Sequence, residues 1–383
     1  MGLQAFASQF QNYFASAQSG RDLVQLSRAV AAPSHGFARQ DLTRRLDQAA
    51  KRVLFVVDGI GADLAEQWAL VPSADERVRG QSIFPTATGS AVPSLLSGLY
   101  PATHGLLGWH CYVPEYQAIY AGLPWKAKRP ANTDEVVPVV EPAKYYGKPP
   151  TVNRFDALVV PAEIQNSIIS QIFQPQAAVL GYDQDDSFVD AVEQALHEAS
   201  NQTIYVYFSD YDHLAHGFGP FSPEAKQSID RFNRIYAALR PSMAAHRAAA
   251  VITADHGHLE TQFEDWIDVE SLMGEAIIGL HWGEPRMAFV RAPKTRHFAE
   301  RVFEATKGRV FAATRTQLLQ WQVFGPAPQH EGLIDRMGDF ALLGSGAICI
   351  DDRRAHRPVQ LKGMHGGASE IERDIPMLFE FFK

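Results

Sequence analysis

The chain of 383 residues has very little cysteine and no long apolar run. Its two cysteines, Cys111 and Cys349, lie far apart in the sequence, which excludes a disulfide framework and a zinc site built from thiolates. No stretch has the length and apolarity of a transmembrane helix, and the first ten residues lack a basic start followed by a sustained apolar run. We therefore expect a protein of the reducing cytoplasm with no membrane partner.

Positive charge is also scarce. The 35 lysines and arginines are outnumbered by 43 aspartates and glutamates, which gives a formal net charge of −8. A protein that coats a phosphate backbone needs a basic face, so no nucleic-acid polymer is expected as a partner. A small phosphoester stays open as a ligand, because a bound metal ion can supply positive charge locally.

Residues 84–105 form the stretch around which the candidate site is organised. A short polar turn leads to Thr88, and small and apolar residues then indicate a helix that ends at Gly98. Pro93 suits the first turn of this helix, where a missing N–H costs nothing. Thr88 is thus expected just ahead of a helix N-terminus, a place that favours a bound phosphate and an ionised hydroxyl. For an isolated threonine, capping of the helix is the simpler interpretation.

Three continuous apolar runs, at residues 53–57, 203–208 and 248–253, predict buried strands. Each run is followed by residues that can bind a metal ion: Asp58 after the first, Asp212 and His216 after the second, and Asp255 and His256 after the third. Ligands of open α/β sheets bind at the carboxyl ends of strands. His365, in a glycine-rich loop near the end of the chain, is a further candidate. Carboxylate and imidazole groups are ligands that zinc or manganese accepts at a hydrolytic site.

The alternation of strands and helices predicts an α/β fold with a doubly wound, mostly parallel sheet and helices on both faces. We divide the chain into an N-terminal helical segment, residues 1–48, and a single catalytic domain, residues 49–383. Residues 109–156, rich in aromatics and prolines, are interpreted as an irregular insertion that caps the site. Its aromatics are as well suited to stacking on a base or sugar as to folding the cap on itself. A hairpin is expected within residues 339–350.

Together these motifs resemble those of the alkaline phosphatase superfamily, and most closely its nucleotide pyrophosphatase/phosphodiesterase (type I phosphodiesterase) branch. The similar stretches run in the family's order from about residue 50 to the C-terminus. They are Val-Val-Asp58-Gly, Phe-Pro-Thr-Ala-Thr88, Asp212-His-Leu-Ala-His216, Thr-Ala-Asp255-His256-Gly and Gly-Met-His365-Gly. The resemblance implies an alkaline-phosphatase-like fold.

The resemblance also implies a hydrolase with two divalent metal ions, zinc in the first place and manganese in the second. One ion would be held by Asp212, His216 and His365, and the other by Asp58, Asp255, His256 and the oxygen of Thr88. Thr88 would be the nucleophile and would form a phospho-threonine intermediate. The expected targets are phosphodiester or pyrophosphate bonds of nucleotide-type substrates. The alternatives are a phosphomonoesterase or phosphonate hydrolase with the same ions, and a non-catalytic member that binds a nucleotide or a partner.

Substrate contacts are assigned to Gly89, Trp109 and Tyr112. Eukaryotic-type members of the family place an asparagine, a donor to a phosphate oxygen, at the position of Trp109. The indole N–H is a donor only, and this difference bears on the choice between diesters and monoesters. Four further histidines are weighed: His104 is expected to be structural, and His213, His258 and His281 are weaker candidates for supporting the metal ligands.

Overall fold

Two seven-stranded sheets organise the computed structural model, which describes residues 8, 10, 11, 21–35, 37–128, 137–147, 151–292, 297–351 and 361–383. In chain order the strands are β1 (Lys51–Val57), β2 (Glu76–Gln81), β3 (His110–Val113), β4 (Ala118–Ala121), β5 (Lys126–Lys128), β6 (Ala157–Pro161), β7 (Ala178–Tyr182), β8 (Thr203–Phe208), β9 (Ala248–Thr253), β10 (Leu259–Glu260), β11 (Trp266–Ile267), β12 (Ile278–Glu284), β13 (Met287–Arg291), β14 (Val310–Thr314), β15 (Phe340–Gly344), β16 (Cys349–Ile350), β17 (Gly363–Met364) and β18 (Asp374–Phe381). The α-helices are α1 (Leu23–Ala31), α2 (Gln40–Gln48), α3 (Ala62–Gln67), α4 (Thr88–Ser97), α5 (Pro101–His104), α6 (Pro142–Tyr146), α7 (Ile168–Phe173), α8 (Asp185–His197), α9 (Asp210–Phe218), α10 (Pro223–Ala245), α11 (Val269–Met273), α12 (Phe298–Ala305), α13 (Arg315–Gln320), α14 (Leu333–Arg336) and α15 (Glu370–Arg373).

The central sheet has the strand order β2-β18-β9-β1-β8-β6-β7. Strands β9, β1, β8, β6 and β7 are parallel to one another, whereas β18 is antiparallel to both β9 and β2. Nearly every residue of β1, β8 and β9 is buried, so both faces of the sheet are covered, as the continuous apolar runs predict. On one face the ring of Phe55 packs edge-on against Tyr236 of α10, with centroids 5.5 Å apart. The predicted α/β fold with a mostly parallel sheet is confirmed.

The second sheet is antiparallel and has the order β14-β15-β13-β12-β3-β4-β5. Residues 110–128 supply three of its strands, which corrects the expectation that the whole 109–156 region is irregular. Strands β3, β4 and β5 pair in sequence order, and β3 joins them to the distant strand β12, since His110 lies opposite Gly283. The hairpin expected within 339–350 is also wrong: β15 pairs with β13 and β14, and β16 pairs with β11.

Helix α4 begins one residue earlier than the sequence predicts. Ala87, in extended conformation, is the residue before the helix, and Thr88 is its first residue. Pro93 therefore lies inside the helix and not in its first turn. The predicted end is correct, because Gly98 adopts the left-handed conformation with φ of 71°.

Helices α1 and α2 lie in the predicted N-terminal segment, and α1 packs on α4 and β1. The division of the chain at residues 48 and 49 stays a prediction. Among the described residues, no helix has both the length and the apolarity needed to cross a bilayer.

Candidate active site

Strand ends bring the predicted ligands together. Asp58 directly follows β1, α9 with Asp212 and His216 follows β8, and Asp255 and His256 follow β9. Because β8, β1 and β9 are adjacent and parallel, their carboxyl ends meet at one edge of the sheet. His365 returns to this edge because β17, just before it, pairs with β10 after the Asp255-His256 turn.

The first cluster consists of Asp58, Asp255 and His256, whose candidate ligand atoms all lie within 4.8 Å of one another. The Nε2 atom of His256 is 3.5 Å from Asp58 Oδ1 and 3.4 Å from Asp255 Oδ2. The hydroxyl oxygen of Thr88 lies 3.1 Å from the same nitrogen. Thr88, which is partly exposed, thus joins this cluster at the surface of the site.

The second cluster is centred on Oδ1 of Asp212. This oxygen is 3.5 Å from His216 Nε2 and 3.7 Å from His365 Nε2. His258 Nε2 lies still closer, at 3.2 Å, so the weaker candidate His258 belongs to the cluster. The two clusters are side by side, since the rings of His256 and His365 stack with centroids 3.8 Å apart.

All four histidines of the clusters are oriented in the same way. The Nδ1 atom faces a backbone carbonyl in each: Gly363 at 2.7 Å from His216, Gly257 at 3.2 Å from His256, Gly59 at 3.1 Å from His258 and Thr86 at 3.1 Å from His365. A carbonyl can only accept, so each ring places a proton on Nδ1 and presents Nε2 to its cluster. Histidine ligands of metal ions are commonly oriented in this way.

The buried carboxylates of the site favour a bound cation. Burial raises the pKa of Asp58 well above its ordinary value, and the charges of Asp212 and Asp255 raise it further. Oδ1 of Asp58 and Oδ2 of Asp255 are buried without a hydrogen-bond partner among the described residues. Burial and the neighbouring histidines hold the pKa of His365 well below its usual range, so its imidazole is neutral. Converging carboxylates and neutral imidazoles fit divalent metal ions.

The remaining oxygens of the carboxylates are held by donors. Oδ1 of Asp255 accepts the backbone N–H groups of Gly59 and His256, both at 3.0 Å. Oδ2 of Asp58 accepts the hydroxyl of Tyr207. Gly59 has a φ of +80°, and a Cβ atom there would lie 2.6 Å from the ring of His258, so only glycine fits between the clusters. Tyr207 is not identified from the sequence, because a tyrosine in a buried strand looks like core.

The loop that carries His365 is fixed by a buried ion pair. Arg286 donates to both carboxylate oxygens of Glu372, at 2.7 and 2.9 Å. Glu372 also accepts the backbone N–H of Gly367, two residues after His365, at 2.8 Å. Since both charged side chains are almost fully buried, the pair serves to position this loop.

On the substrate side, helix α4 packs tightly against a neighbouring loop. A Cβ atom at Gly89 would lie 2.8 Å from the backbone of Gly108 and Trp109. The backbone N–H of Trp109 donates to Oε1 of Glu284 at 2.5 Å. Burial raises the pKa of Glu284 to about 8. The Trp109 side chain is partly exposed and lines a cavity of about 1050 Å³ that also reaches Thr88 and Asp58.

The other predicted residues lie elsewhere. Tyr112 is not among the described residues that line the cavity; it is buried and stacks on Trp282 with ring centroids 4.8 Å apart, so the expected substrate contact is not found. His104 is structural, as predicted: it is buried and contacts Ser94 at 2.9 Å. His281 lies 3.1 Å from Glu270 and is not part of either cluster. His213 lines the cavity but also belongs to neither cluster.

The fold and the site define a hydrolase of the alkaline phosphatase superfamily. The family model described as "Type I phosphodiesterase / nucleotide pyrophosphatase" matches residues 52–368. The chain therefore belongs to this family, as its motifs predict. A comparison with curated proteins finds no match.

Solved structures share the fold at low sequence identity. Murine ectonucleotide pyrophosphatase/phosphodiesterase 5 is 14% identical, with a TM-score of 0.63 over 86% of this chain and 87% of its own. The human protein is 15% identical, with a TM-score of 0.64 over the same shares. Phosphonoacetate hydrolase from Sinorhizobium meliloti 1021, in complex with phosphonoformate, is 19% identical, with a TM-score of 0.61 over 88% of this chain and 91% of its own.

Proposed function

We propose that the protein hydrolyses phosphodiester or pyrophosphate bonds, with Thr88 as the nucleophile. The observation that carries this proposal is the position of the Thr88 hydroxyl, 3.1 Å from His256 Nε2 and at the first residue of α4. The oxygen lies beside two groups of candidate metal ligands and next to backbone N–H groups at a helix start, which favour a phosphate.

Two divalent ions fit the two clusters, and we propose zinc, with manganese as the second choice. Asp58, Asp255, His256 and the oxygen of Thr88 would hold one ion. Asp212, His216 and His365 would hold the other, with His258 supporting Asp212. When bound, the ions would supply Lewis-acid stabilisation of the charge that develops on the reacting oxygens.

The protein's own residues account for the remaining steps. Thr88 attacks phosphorus in line with the leaving oxygen: Oγ1 loses its proton and bonds to phosphorus as the ester bond breaks, and the leaving oxygen takes up a proton and departs as the alcohol or phosphate. Water then cleaves the resulting phospho-threonine and regenerates the hydroxyl. We further propose that the N–H of Gly89, next to Thr88 on α4, and the indole N–H of Trp109, which lines the cavity with Thr88, donate to phosphoryl oxygens of the substrate.

Nucleotide-type diesters are the proposed substrates, and phosphonates are the second candidate. The family description includes nucleotide pyrophosphatases, and an inactive threonine-to-alanine variant of the murine protein is known in complex with AMP. The bacterial structural relative is described as a phosphonoacetate hydrolase and is known in complex with phosphonoacetate. The third candidate function is that of a family member that binds such a ligand without hydrolysing it.

The test compares zinc-loaded wild type, Thr88→Ala and Thr88→Ser on bis-p-nitrophenyl phosphate, p-nitrophenyl phosphate and phosphonoacetate. We expect kcat/KM to be larger for the diester, and Thr88→Ala to lower it by at least about 10³-fold. Thr88→Ser keeps a nucleophilic hydroxyl and is expected to keep part of the activity. Full activity of Thr88→Ala would refute the role of Thr88 as the nucleophile. A larger rate on the monoester or the phosphonate would make that compound class the proposed substrate. Fewer than one bound ion per chain, together with no turnover, would favour a protein that only binds its ligand.

A further inference from the structure

The cavity beside Thr88 continues well past the metal clusters. Its volume is about 1050 Å³, and Thr88, Asp58 and Asp212 line one part of it. Other parts of the wall come from α4, from the turn between β4 and β5, from residues 161–170 and from β8. A phosphoryl group at Thr88 would fill only a small part of this volume.

Part of the cavity wall is aliphatic, although Ser170 and Tyr205 also line the cavity. Leu96 of α4, Leu158 of β6 and Ile169 of α7 line it and are almost completely buried. Val92, one turn after Thr88 on the same helix, connects this wall with the site. Trp125 closes the cavity from the second sheet. An apolar group would gain from burial here, whereas polar atoms of a ligand would lose their hydration.

The charges around the cavity are unfavourable for a long polyphosphate. Among the described residues that line it, Lys126 is the only lysine or arginine, and it is exposed at the rim. Glu163 and Asp210 place negative charge on the wall. Asp210 is paired with Arg231, which offsets part of its charge. Additional phosphate groups would thus meet Glu163 and one exposed lysine, without a cluster of cations among the described lining residues to bind them.

From these features we propose that the cavity is the subsite for the organic group of the phosphoester, and that this group is an apolar chain or ring. The proposal rests on the proposed function, since it places the phosphoryl group at Thr88. The ester group then extends from Thr88 past Val92 toward Leu96 and Leu158. Within the proposed class of diesters, the preferred substrate is accordingly one whose ester group is a sizeable apolar chain or ring and not the more polar nucleoside of a nucleotide.

The experiment measures binding of methyl-, butyl- and octylphosphonate to the zinc-loaded wild type by titration calorimetry. Affinity is expected to rise about fourfold for each methylene group that enters the cavity. Val92→Trp should narrow the path between Thr88 and the aliphatic residues and weaken the dependence on chain length. Val139→Trp, the same substitution at a site that is 87% exposed and does not line the cavity, is the matched control and should keep the dependence.

Equal affinity for the three phosphonates, or equal effects of Val92→Trp and Val139→Trp, would overturn the subsite. Hydrolysis of methyl p-nitrophenyl phosphate, measured in parallel, separates the two proposals. Turnover without any chain-length dependence refutes the subsite and leaves the proposed function standing. Chain-length dependence without turnover of any phosphoester supports the subsite and refutes the proposed function.

Discussion

Glu284 fixes the backbone of Trp109 through a single hydrogen bond, in which the Trp109 N–H donates to Oε1 at 2.5 Å. The same side chain lies against the loop of His365, because a Cβ atom at Gly366 would be 2.7 Å from the Glu284 Cβ. One buried carboxyl group therefore connects the loop beside Thr88 with the loop that carries a candidate metal ligand.

This carboxyl group makes stability depend on pH. Burial raises the pKa of Glu284 from 4.5 to about 8. Between these values the folded protein keeps a proton that the unfolded chain has released, so Glu284 lowers the free energy of unfolding as pH rises through this window. Glu284→Gln, which can still accept the Trp109 N–H, should gain stability relative to wild type between about pH 5 and pH 8.

Urea unfolding of the metal-free protein at several pH values checks this prediction. The control is Glu115→Gln, in an exposed position of the 3-10 turn Pro114–Tyr116. A stability difference between Glu284→Gln and wild type that does not change with pH would contradict it.

Tyr207 is expected to support metal binding through Asp58. Its hydroxyl donates to Oδ2 of Asp58 and holds the carboxylate with Oδ1 free. Tyr207→Phe should weaken zinc affinity by about 10- to 100-fold, as is usual when a partner of a metal ligand is removed. Competition with a chromophoric chelator measures this effect.

The same strand supplies the control. Tyr205 lies on the same face, its ring 6.5 Å from that of Tyr207, and its hydroxyl has no hydrogen-bond partner among the described residues. Tyr205→Phe removes the same atom without touching Asp58. If both variants bind zinc equally well, the role assigned to Tyr207 is wrong.

Removal of Arg286 from its buried ion pair with Glu372 should cause a large loss of stability, and a second substitution should restore part of it. Arg286→Met leaves the Glu372 carboxylate buried without its cation, which should lower the free energy of unfolding by about 3–5 kcal/mol. Adding Glu372→Gln neutralises that charge and should restore part of the loss. Zinc affinity should fall in parallel, because Glu372 also holds the N–H of Gly367 beside His365.

Denaturant unfolding of the single and double variants tests this coupling. Lys226→Met removes an exposed pair, in which Lys226 and Asp230 are 2.7 Å apart, and should cost less than about 1 kcal/mol. If the double variant is less stable than Arg286→Met, the unpaired charge of Glu372 is not the cause of the loss in Arg286→Met.

Metal removal should reveal repulsion between the carboxylates. Without a cation, Asp58 is buried beside Asp212 and Asp255, and its charged form is disfavoured. We expect metal-free Asp58→Asn to be more stable than metal-free wild type at about pH 8, and zinc to raise the Tm of wild type more than that of the variant.

Thermal unfolding with and without a chelator checks the expected order. Asp335→Asn changes an exposed aspartate of α14 and should behave as wild type in both conditions. Asp58→Asn that is destabilised equally with and without zinc would show that Asp58 does not experience this repulsion.

The part of the site that could be predicted from the sequence depends on strand ends. Asp58, Asp212 and Asp255 follow continuous apolar runs, and such runs identify buried parallel strands without tertiary information. Because the carboxyl ends of adjacent parallel strands lie at one edge of a sheet, these three side chains are expected at the same edge. His365 follows no such run; its glycine-rich loop made it only a candidate, and its role as a ligand is implied by the resemblance to the family. Its actual route depends on the pairing of β10 with β17, and strands of two residues are too short to show a periodicity.

The second sheet could not be predicted for a different reason. Strands β3 to β5 have only three or four residues each, too few to show alternation, and proline and aromatic residues around them suggest irregular structure. They join the sheet through β3, whose residue His110 pairs with the distant Gly283 of β12. Glu284 was missed because nothing in the local sequence distinguishes a buried carboxyl from an exposed one.

The position of β18 connects the loop of His365 to the central sheet. This strand, Asp374–Phe381, lies between β2 and β9 and follows the His365 loop after the short helix α15. On its other side the loop is held by β17, which pairs with β10. Opening of the sheet at β18 would therefore release the loop on one side, so retention of the metal ion at His365 should depend on the integrity of the sheet.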